Sequence, residues 1–174
     1  VHTYSLADAD PIDEDDRINS SGTYGYGVDL VTVEVHPDTG EIELLDYVAV
    51  HDCGTMVNPQ IVEGQVAGGI FHGLAGALYE ELAYDDSGTL QADTFMDYAV
   101  PTAKEAPPLT IDHLETPSPK TPLGSKGTGE SGAEAAPAAV ANAVADALAP
   151  LDVDVTSLPL RAPDVWSRVQ RARD

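Results

Sequence analysis

The sequence contains a single cysteine, Cys53, among 174 residues. One thiol cannot form an intramolecular disulfide, and it cannot supply a four-cysteine zinc site or the cysteine ligands of an iron–sulfur cluster. A lone thiol is typical of proteins in a reducing compartment. The cysteine count therefore excludes these sites within the chain and favours a cytoplasmic location.

Positive charge is also scarce. Lys and Arg number 8 against 30 Asp and Glu, which gives a formal net charge of −22, and neither cation occurs between Arg17 and Lys104. Such a surface repels nucleic acid and anionic lipid, so neither is expected as a partner. In molar salt the Debye length falls to roughly 3 Å, which screens this repulsion. The acidic charge therefore favours a halophilic source; the alternative is an ordinary acidic protein with an acidic partner.

Aromatic residues make up only 6% of the chain, and no uncharged apolar run is long enough to span a bilayer. Hydrophobic residues nevertheless reach 43%, which is enough for one domain with a core. The chain begins at Val1 with neither a methionine nor a basic signal segment, a pattern expected for a piece of a longer protein. We predict a polar arm over 1–22 and one domain over 23–174.

Alternating apolar residues predict two strands, over 29–35 and 41–50. Pro37, Asp38 and Gly40 lie between them and supply turn chemistry, so the strands are expected to form an antiparallel hairpin. A third strand is predicted over 109–116.

Three helices are predicted, over 60–82, 133–149 and 163–172. The first is rich in glycine, which indicates close packing on another backbone or on a ligand. Ser131 and Glu134 have the spacing of a capping box at the start of the second helix, but Pro137 favours a later start. The order of the elements predicts an α+β fold, in which helices pack on a mixed or antiparallel sheet.

The stretch GSKGTGESG, residues 124–132, is the main candidate for a binding site. Its spacing excludes a P-loop, because Lys126 precedes the glycine that it should follow. Backbone N–H groups, one cation and a helix N-terminus together favour a bound anion, and Glu130 can accept a proton there. The alternative is a flexible surface loop with a capping glutamate, and the composition of the stretch does not decide between them.

Two other segments carry polar groups of interest. Gln65 lies among small residues and can hydrogen-bond the edge of a heterocycle, although an exposed glutamine on a tightly packed helix is the simpler interpretation. His51, Asp52 and Cys53 are adjacent, but the histidines lack metal-ligand spacing. We therefore predict no metal ligand in the chain, and we predict that Cys53 is a small buried thiol at a strand end.

Three segments taken together resemble the molybdenum-binding subunit of the xanthine dehydrogenase / aldehyde oxidase / carbon monoxide dehydrogenase family. They are HDCGTMVNPQIVEGQVAGGIFHGLAGALYEE, FMDYAVPTA and ETPSPKTPLGSKGTGESGAEAAPAAVANAVADAL. The segments occur in the family's order and spacing, and the resemblance covers residues 23 to 165. The chain resembles the C-terminal part of that subunit, which implies the fold of the molybdenum cofactor-binding domain of aldehyde oxidase-type enzymes.

The resemblance implies a set of site residues. The family's KGxGE motif falls on 126–130, which implies that Glu130 is the active-site base. The family's GQ pair falls on Gly64 and Gln65, and that glutamine contacts the pterin cofactor. The backbone from Lys126 to Gly129 would bind the pterin or pyrophosphate part. The implied cofactor-binding residues are thus Gly64, Gln65, Lys126, Gly127, Thr128 and Gly129, and the implied cofactor is molybdopterin in its dinucleotide form.

The resemblance also implies the reaction and the partners. The enzyme would hydroxylate an electron-poor carbon of a small molecule, which could be an aldehyde, a purine, an N-heterocycle or carbon monoxide. The expected partners are the upstream half of the subunit and subunits or domains that carry Fe–S and FAD. A missing upstream half would leave an apolar face for a partner chain or a second copy. The alternative function is a non-catalytic module for assembly or cofactor handling.

Overall fold

The structure is a computed structural model that describes residues 13–17 and 22–173. Most of the predicted polar arm therefore lies outside the described residues. One turn of 3-10 helix over Ala149–Leu151 links the last two helices. The elements are β1 (Tyr26–Val35), β2 (Ile42–Asp52), α1 (Pro59–Leu78), β3 (Leu109–Leu114), α2 (Ser131–Leu148) and α3 (Ala162–Arg173).

The three strands form one sheet in the order β1-β2-β3. The predicted hairpin is confirmed, because β1 pairs antiparallel with β2 from Tyr26 opposite Asp52 to Val35 opposite Ile42. The strand β3 pairs with β2 in parallel, with His113 beside His51. The sheet is therefore mixed, and the predicted α+β architecture is confirmed.

The helices cover one face of the sheet. Tyr47 and Ala49 on β2 are fully buried, as are Val66 on α1, Val140 on α2 and Val165 on α3. On the opposite face, Val28, Leu30 and Leu114 are 63%, 65% and 52% exposed and lie among polar side chains. No helix within the described residues is both long and apolar enough to cross a membrane.

Glycines let α1 and α2 approach at backbone distance. A Cβ atom added to Gly132 would lie 2.3 Å from the carbonyl oxygen of Val66, and one added to Gly73 would lie 2.7 Å from the Cβ of Ala136. The close packing predicted for the glycine-rich helix is confirmed at these positions. Gly64 and Gly68 differ, since an added Cβ would meet nothing within 4 Å.

The start of α2 corrects two predictions. The helix begins at Ser131, six residues before Pro137, and has no side-chain cap hydrogen bond. The predicted capping box is wrong because Ser131 lies inside the helix, where its hydroxyl bonds back to the carbonyl of Thr128 at 3.1 Å. A start nearer Pro137 is also wrong: Pro137 lacks the N–H for a bond to Ala133, and the Ala133 carbonyl packs against Gly73 instead.

Candidate functional site

A cavity of about 650 Å³ lies between the start of β1 and the start of α2. One wall is formed by residues 23–27 with His51, and the other by residues 127–131 with Glu134 and Ala135. Of the predicted site residues, Gly127, Thr128, Gly129 and Glu130 line this cavity, while Gly64, Gln65 and Lys126 do not. The second half of the glycine loop therefore faces the cavity.

The first half of the loop, residues 124–126, is bound to the end of β2, and we call it the anchored half. The carbonyl of Gly124 accepts hydrogen bonds from the N–H groups of Thr55 at 3.2 Å and Ser118 at 2.8 Å. The N–H of Lys126 donates to the carbonyl of Cys53 at 2.7 Å. These bonds hold the loop against the segments that follow β2 and β3. Cys53 itself is buried and unbridged, which confirms the prediction for that thiol.

Two glycines in left-handed conformations allow the anchored half to lie close to the segment after β2. Gly124 has φ +75° and Gly54 has φ +66°. A Cβ atom added to Gly54 would lie 2.1 Å from the carbonyl oxygen of Gly124, so only glycine fits at that place. The anchored half therefore depends on the backbone freedom of both residues.

The ammonium group of Lys126 is also engaged away from the cavity. Its Nζ lies 3.0 Å from Oδ1 of Asp52, and the two side chains are 11% and 0% exposed. The same nitrogen lies 3.3 Å from Oγ1 of Thr116 and 5.1 Å from the centroid of the Tyr26 ring. The cation that the sequence pattern associates with an anion site is thus paired with a buried carboxylate.

The carboxylate of Asp52 is held in its ionised form. Burial disfavours that charge, but hydrogen bonds from the Gly54 N–H, the Lys126 ammonium and Thr116 outweigh burial, so the pKa of Asp52 lies below its ordinary value of 3.8. The N–H of Gly54 is 2.8 Å from Oδ1, and the N–H of Thr116 is 2.9 Å from Oδ2. Asp52 is therefore the centre of a fully bonded polar cluster at the end of β2.

The second half of the loop, residues 127–130, is the open half. Its backbone N–H groups have no hydrogen-bond partner among the described residues. Glu130 is exposed, immediately precedes α2 and makes no ion pair within the described part of the chain. The N-terminus of α2 adds a partial positive charge at the same place. The open half thus presents unpaired donors and one carboxylate to the cavity.

Gln65 reaches the open half from α1. Its side chain is exposed, and Nε2 donates to the carbonyl of Gly129 across 3.5 Å, at the long limit of a hydrogen bond. The structure therefore brings together two predicted segments that lie 64 residues apart in the sequence. Gly64 is exposed beside Gln65.

A buried polar cluster at the β1–β2 wall of the cavity was missed by the sequence analysis. Nε2 of His51 lies 2.8 Å from Oδ1 of Asp29, and these side chains are 2% and 1% exposed. The hydroxyl of Tyr47 donates to Oδ2 of Asp29 at 2.5 Å, and burial together with this carboxylate raises the pKa of Tyr47. Nδ1 of His51 is buried with no partner among the described residues, under Gly27.

One signal in the sequence could have found this cluster. The alternation in β1 places Asp29 on the same face as Val31 and Val33, so a carboxylate interrupts the apolar face of the strand. A buried carboxylate needs a donor from a neighbouring strand, and His51 is the candidate that hairpin pairing brings near. Within the described residues, no three His, Cys, Asp or Glu side chains group together to hold a metal ion.

Comparison with known proteins identifies the family. A family model described as "Molybdopterin cofactor-binding domain" matches residues 2–107. The chain is 46% identical over 136 residues to the nicotine 6-hydroxylase large subunit of Paenarthrobacter nicotinovorans, which covers 78% of the chain and 17% of that protein. The chain thus spans less than a fifth of that relative.

Solved structures agree with this match. Quinoline 2-oxidoreductase from Pseudomonas putida 86 superposes with a TM-score of 0.77 at 48% identity, covering 79% of the chain and 18% of that protein. CO dehydrogenase from Oligotropha carboxidovorans superposes with a TM-score of 0.84 at 37% identity, covering 87% and 19%. The chain belongs to the molybdopterin cofactor-binding domain family, as a part of the molybdenum-binding subunit found in xanthine dehydrogenase-, aldehyde oxidase- and carbon monoxide dehydrogenase-type enzymes.

Proposed function

We propose that this chain forms one wall of the active site of a molybdopterin-dependent hydroxylase, with Glu130 as the base. The observation that carries the proposal is the open half, where an exposed carboxylate lies beside backbone N–H groups that have no partner among the described residues, on a cavity of about 650 Å³. The anchored half turns the Lys126 charge away, so no cation of the described residues neutralises Glu130.

The residues at this cavity fit a flat, polar cofactor that carries phosphate. The N–H groups of residues 127–130 would donate to its ring or phosphate oxygens, helped by the N-terminus of α2. Neither Gly127 nor Gly129 has a side chain that would hold a ring system away from the backbone. Gln65 would add an amide at the edge of the same site. When bound, the cofactor supplies the molybdenum centre that accepts two electrons from the substrate.

Glu130 would accept a proton at its carboxylate oxygens during hydroxylation. In the overall reaction water provides the oxygen, the substrate carbon loses two electrons, and two protons are released. A carboxylate that is near the reacting atoms and has no cationic partner can take up one of these protons, which is general-base catalysis. The exposed position of Glu130 at the cavity matches that requirement.

The substrate is proposed as a small molecule with an electron-poor carbon. The relatives are named for nicotine, quinoline and carbon monoxide. We propose that the upstream part of the subunit completes the cavity and that Fe–S and FAD subunits remove the electrons. The dinucleotide form of the cofactor, a cytoplasmic location and a halophilic source stay predictions.

The test requires the chain assembled with its upstream part and loaded with cofactor. Glu130→Gln should lower kcat by about 100-fold or more, because the amide cannot accept the proton. Glu134→Gln is the matched control, since Glu134 lines the same cavity, and it should stay within about threefold. Molybdenum and pterin contents should be equal in both variants. Unchanged turnover of Glu130→Gln would refute the role of the base.

The non-catalytic alternative makes a different prediction. A module for assembly alone would contain neither molybdenum nor pterin after assembly with its upstream part and with cofactor supplied. Metal analysis and pterin fluorescence of the purified assembly distinguish the two functions. Stoichiometric molybdenum with substrate-dependent dye reduction supports the hydroxylase.

A further inference from the structure

The ion pair between Lys126 and Asp52 joins the two ends of a long chain segment. The residues are 74 positions apart, yet their side chains meet at 3.0 Å with almost no exposure. Asp52 is the last residue of β2, and Lys126 directly precedes the open half. Neither residue lines the cavity.

The polar cluster leaves the Lys126 ammonium little freedom to turn toward a ligand. Oδ1 of Asp52 and Oγ1 of Thr116 both contact it, and the Tyr26 ring lies beside it. Thr116 is itself held, because its hydroxyl donates to Oδ2 of Asp52 and meets the Tyr26 hydroxyl at 2.8 Å. Moving the ammonium would leave Asp52 as an unpaired buried charge, which is strongly unfavourable.

The open half is fixed from both sides. On the C-terminal side, Gly132 packs against the backbone of α1, and the N–H of Ala133 donates to the carbonyl of Glu130 at 2.9 Å. On the N-terminal side, the Lys126 side chain and its N–H bond to Cys53 hold the chain at the end of β2. The place of Glu130 is therefore set by these two attachments.

We propose that Lys126 and Asp52 are positioning residues, whose ion pair sets the place of Glu130 and of the backbone donors around it, and that the Lys126 ammonium contacts no ligand. The anchoring itself stands on the contacts of the described residues. Its effect on turnover rests on the proposed function.

Cys53 provides a reporter for the anchoring that does not depend on cofactor. It is the only cysteine of the chain, is 4% exposed, and its carbonyl accepts the bond from the Lys126 N–H. Release of the loop should uncover the thiol. In the assembled protein, Lys126→Met and Asp52→Asn should each increase the rate of maleimide modification of the Cys53 peptide by about tenfold or more. Arg161→Met, which breaks the exposed pair with Glu81, should leave the rate unchanged.

Asp52→Asn separates positioning from direct ligand binding. If Lys126 positions the loop, both variants lower kcat by a similar factor, with unchanged KM for substrate and with molybdenum contents equal to each other. If Lys126 instead binds the cofactor, Lys126→Met loses cofactor while Asp52→Asn, which frees the ammonium, retains it and keeps full turnover. The second result, or unchanged Cys53 modification in both variants, would overturn the proposal.

A milder variant covers the case in which those two substitutions prevent folding. Thr116→Val removes the hydroxyl that contacts Asp52 and Tyr26 but keeps the ion pair. It should increase Cys53 modification by about threefold, and no increase would count against the anchoring. Faster modification in the anchoring variants together with full turnover of Glu130→Gln would refute the proposed function and leave the anchoring intact. Loss of turnover in Glu130→Gln, together with unchanged Cys53 modification in the anchoring variants, would support the proposed function and refute the anchoring.

Discussion

The anchored half and the open half are adjacent and have similar compositions, yet the bonding of their backbone N–H groups and of their charged side chains differs. Residues 124–126 donate and accept hydrogen bonds with the segment after β2, and their one charge is paired inside the protein. The N–H groups of residues 127–130 have no partner within the part of the chain that the structure describes, and their one charge is exposed. The difference shows that the two parts of a glycine-rich motif can have different roles: one part fixes the loop, and we propose that the other part binds the cofactor.

Removal of the Lys126 charge should have the largest effect on stability. Lys126→Met leaves the fully buried Asp52 carboxylate without its cation, and breaking a buried pair costs roughly 3–5 kcal/mol. Arg173→Met is the control, because its partner Asp38 is 85% exposed, and it should cost about 0–1 kcal/mol. Urea unfolding of both variants measures the difference; equal losses would contradict the distinct role of the anchored half.

The same glycine substitution should give different results in the two regions. Gly54→Ala introduces a Cβ at φ +66° and 2.1 Å from the Gly124 carbonyl, so we expect a loss of about 3 kcal/mol. Gly127→Ala meets nothing within 4 Å and should stay within about 0.5 kcal/mol. Thermal unfolding of both variants at the same protein concentration measures the two losses of stability. A loss for Gly127→Ala as large as that for Gly54→Ala would contradict the expected difference between the two regions.

Acid should weaken the anchored half through Asp52. Since its pKa is held below 3.8, Asp52 contributes stability above pH 3.8 that is lost as the pH falls through the lower pKa of the folded state. The difference in unfolding free energy between the unchanged chain and Asp52→Asn should therefore be largest near neutral pH and should shrink below about pH 3.8. If the difference in unfolding free energy between the unchanged chain and Asp52→Asn increased as the pH fell, the result would contradict this prediction.

A small gain in stability is expected from two substitutions on α1. Gly64→Ala and Gly68→Ala both point into open space and should each stabilise the unloaded chain by about 0.5–1 kcal/mol, because alanine favours the helix. Only Gly64→Ala should reduce the molybdenum and pterin content of the assembled enzyme, since Gly64 adjoins Gln65. Equal cofactor contents in the two variants would remove Gly64 from the cofactor-binding residues.

The parts that the sequence predicted well are those with local signals. The alternation of β1 and β2 and the turn between them predicted the hairpin, and the small residues of α1 predicted its close packing. The start of α2 was predicted wrongly because the position of Ser131 depends on where Gly132 packs against α1, which no local pattern encodes.

The pairs that connect distant segments could not be predicted. The contact between Asp52 and Lys126 requires the loop to return to the end of β2, and the contact between Asp29 and His51 requires the register of the hairpin. Each pair joins polar side chains that appear in the sequence as unrelated surface residues. The resemblance identified the motif that contains Lys126 and Glu130, and only the fold shows that these two side chains face different directions.

Amide hydrogen exchange tests the central claim most directly, because it reads both halves of the loop in one experiment. The assembled protein is compared before and after loading with cofactor. The N–H groups of residues 127–130 should exchange rapidly without cofactor and become protected with it, while the Lys126 N–H, bonded to Cys53, should be protected in both states. Unchanged exchange over 127–130 on loading, or new protection confined to Lys126, would contradict the account.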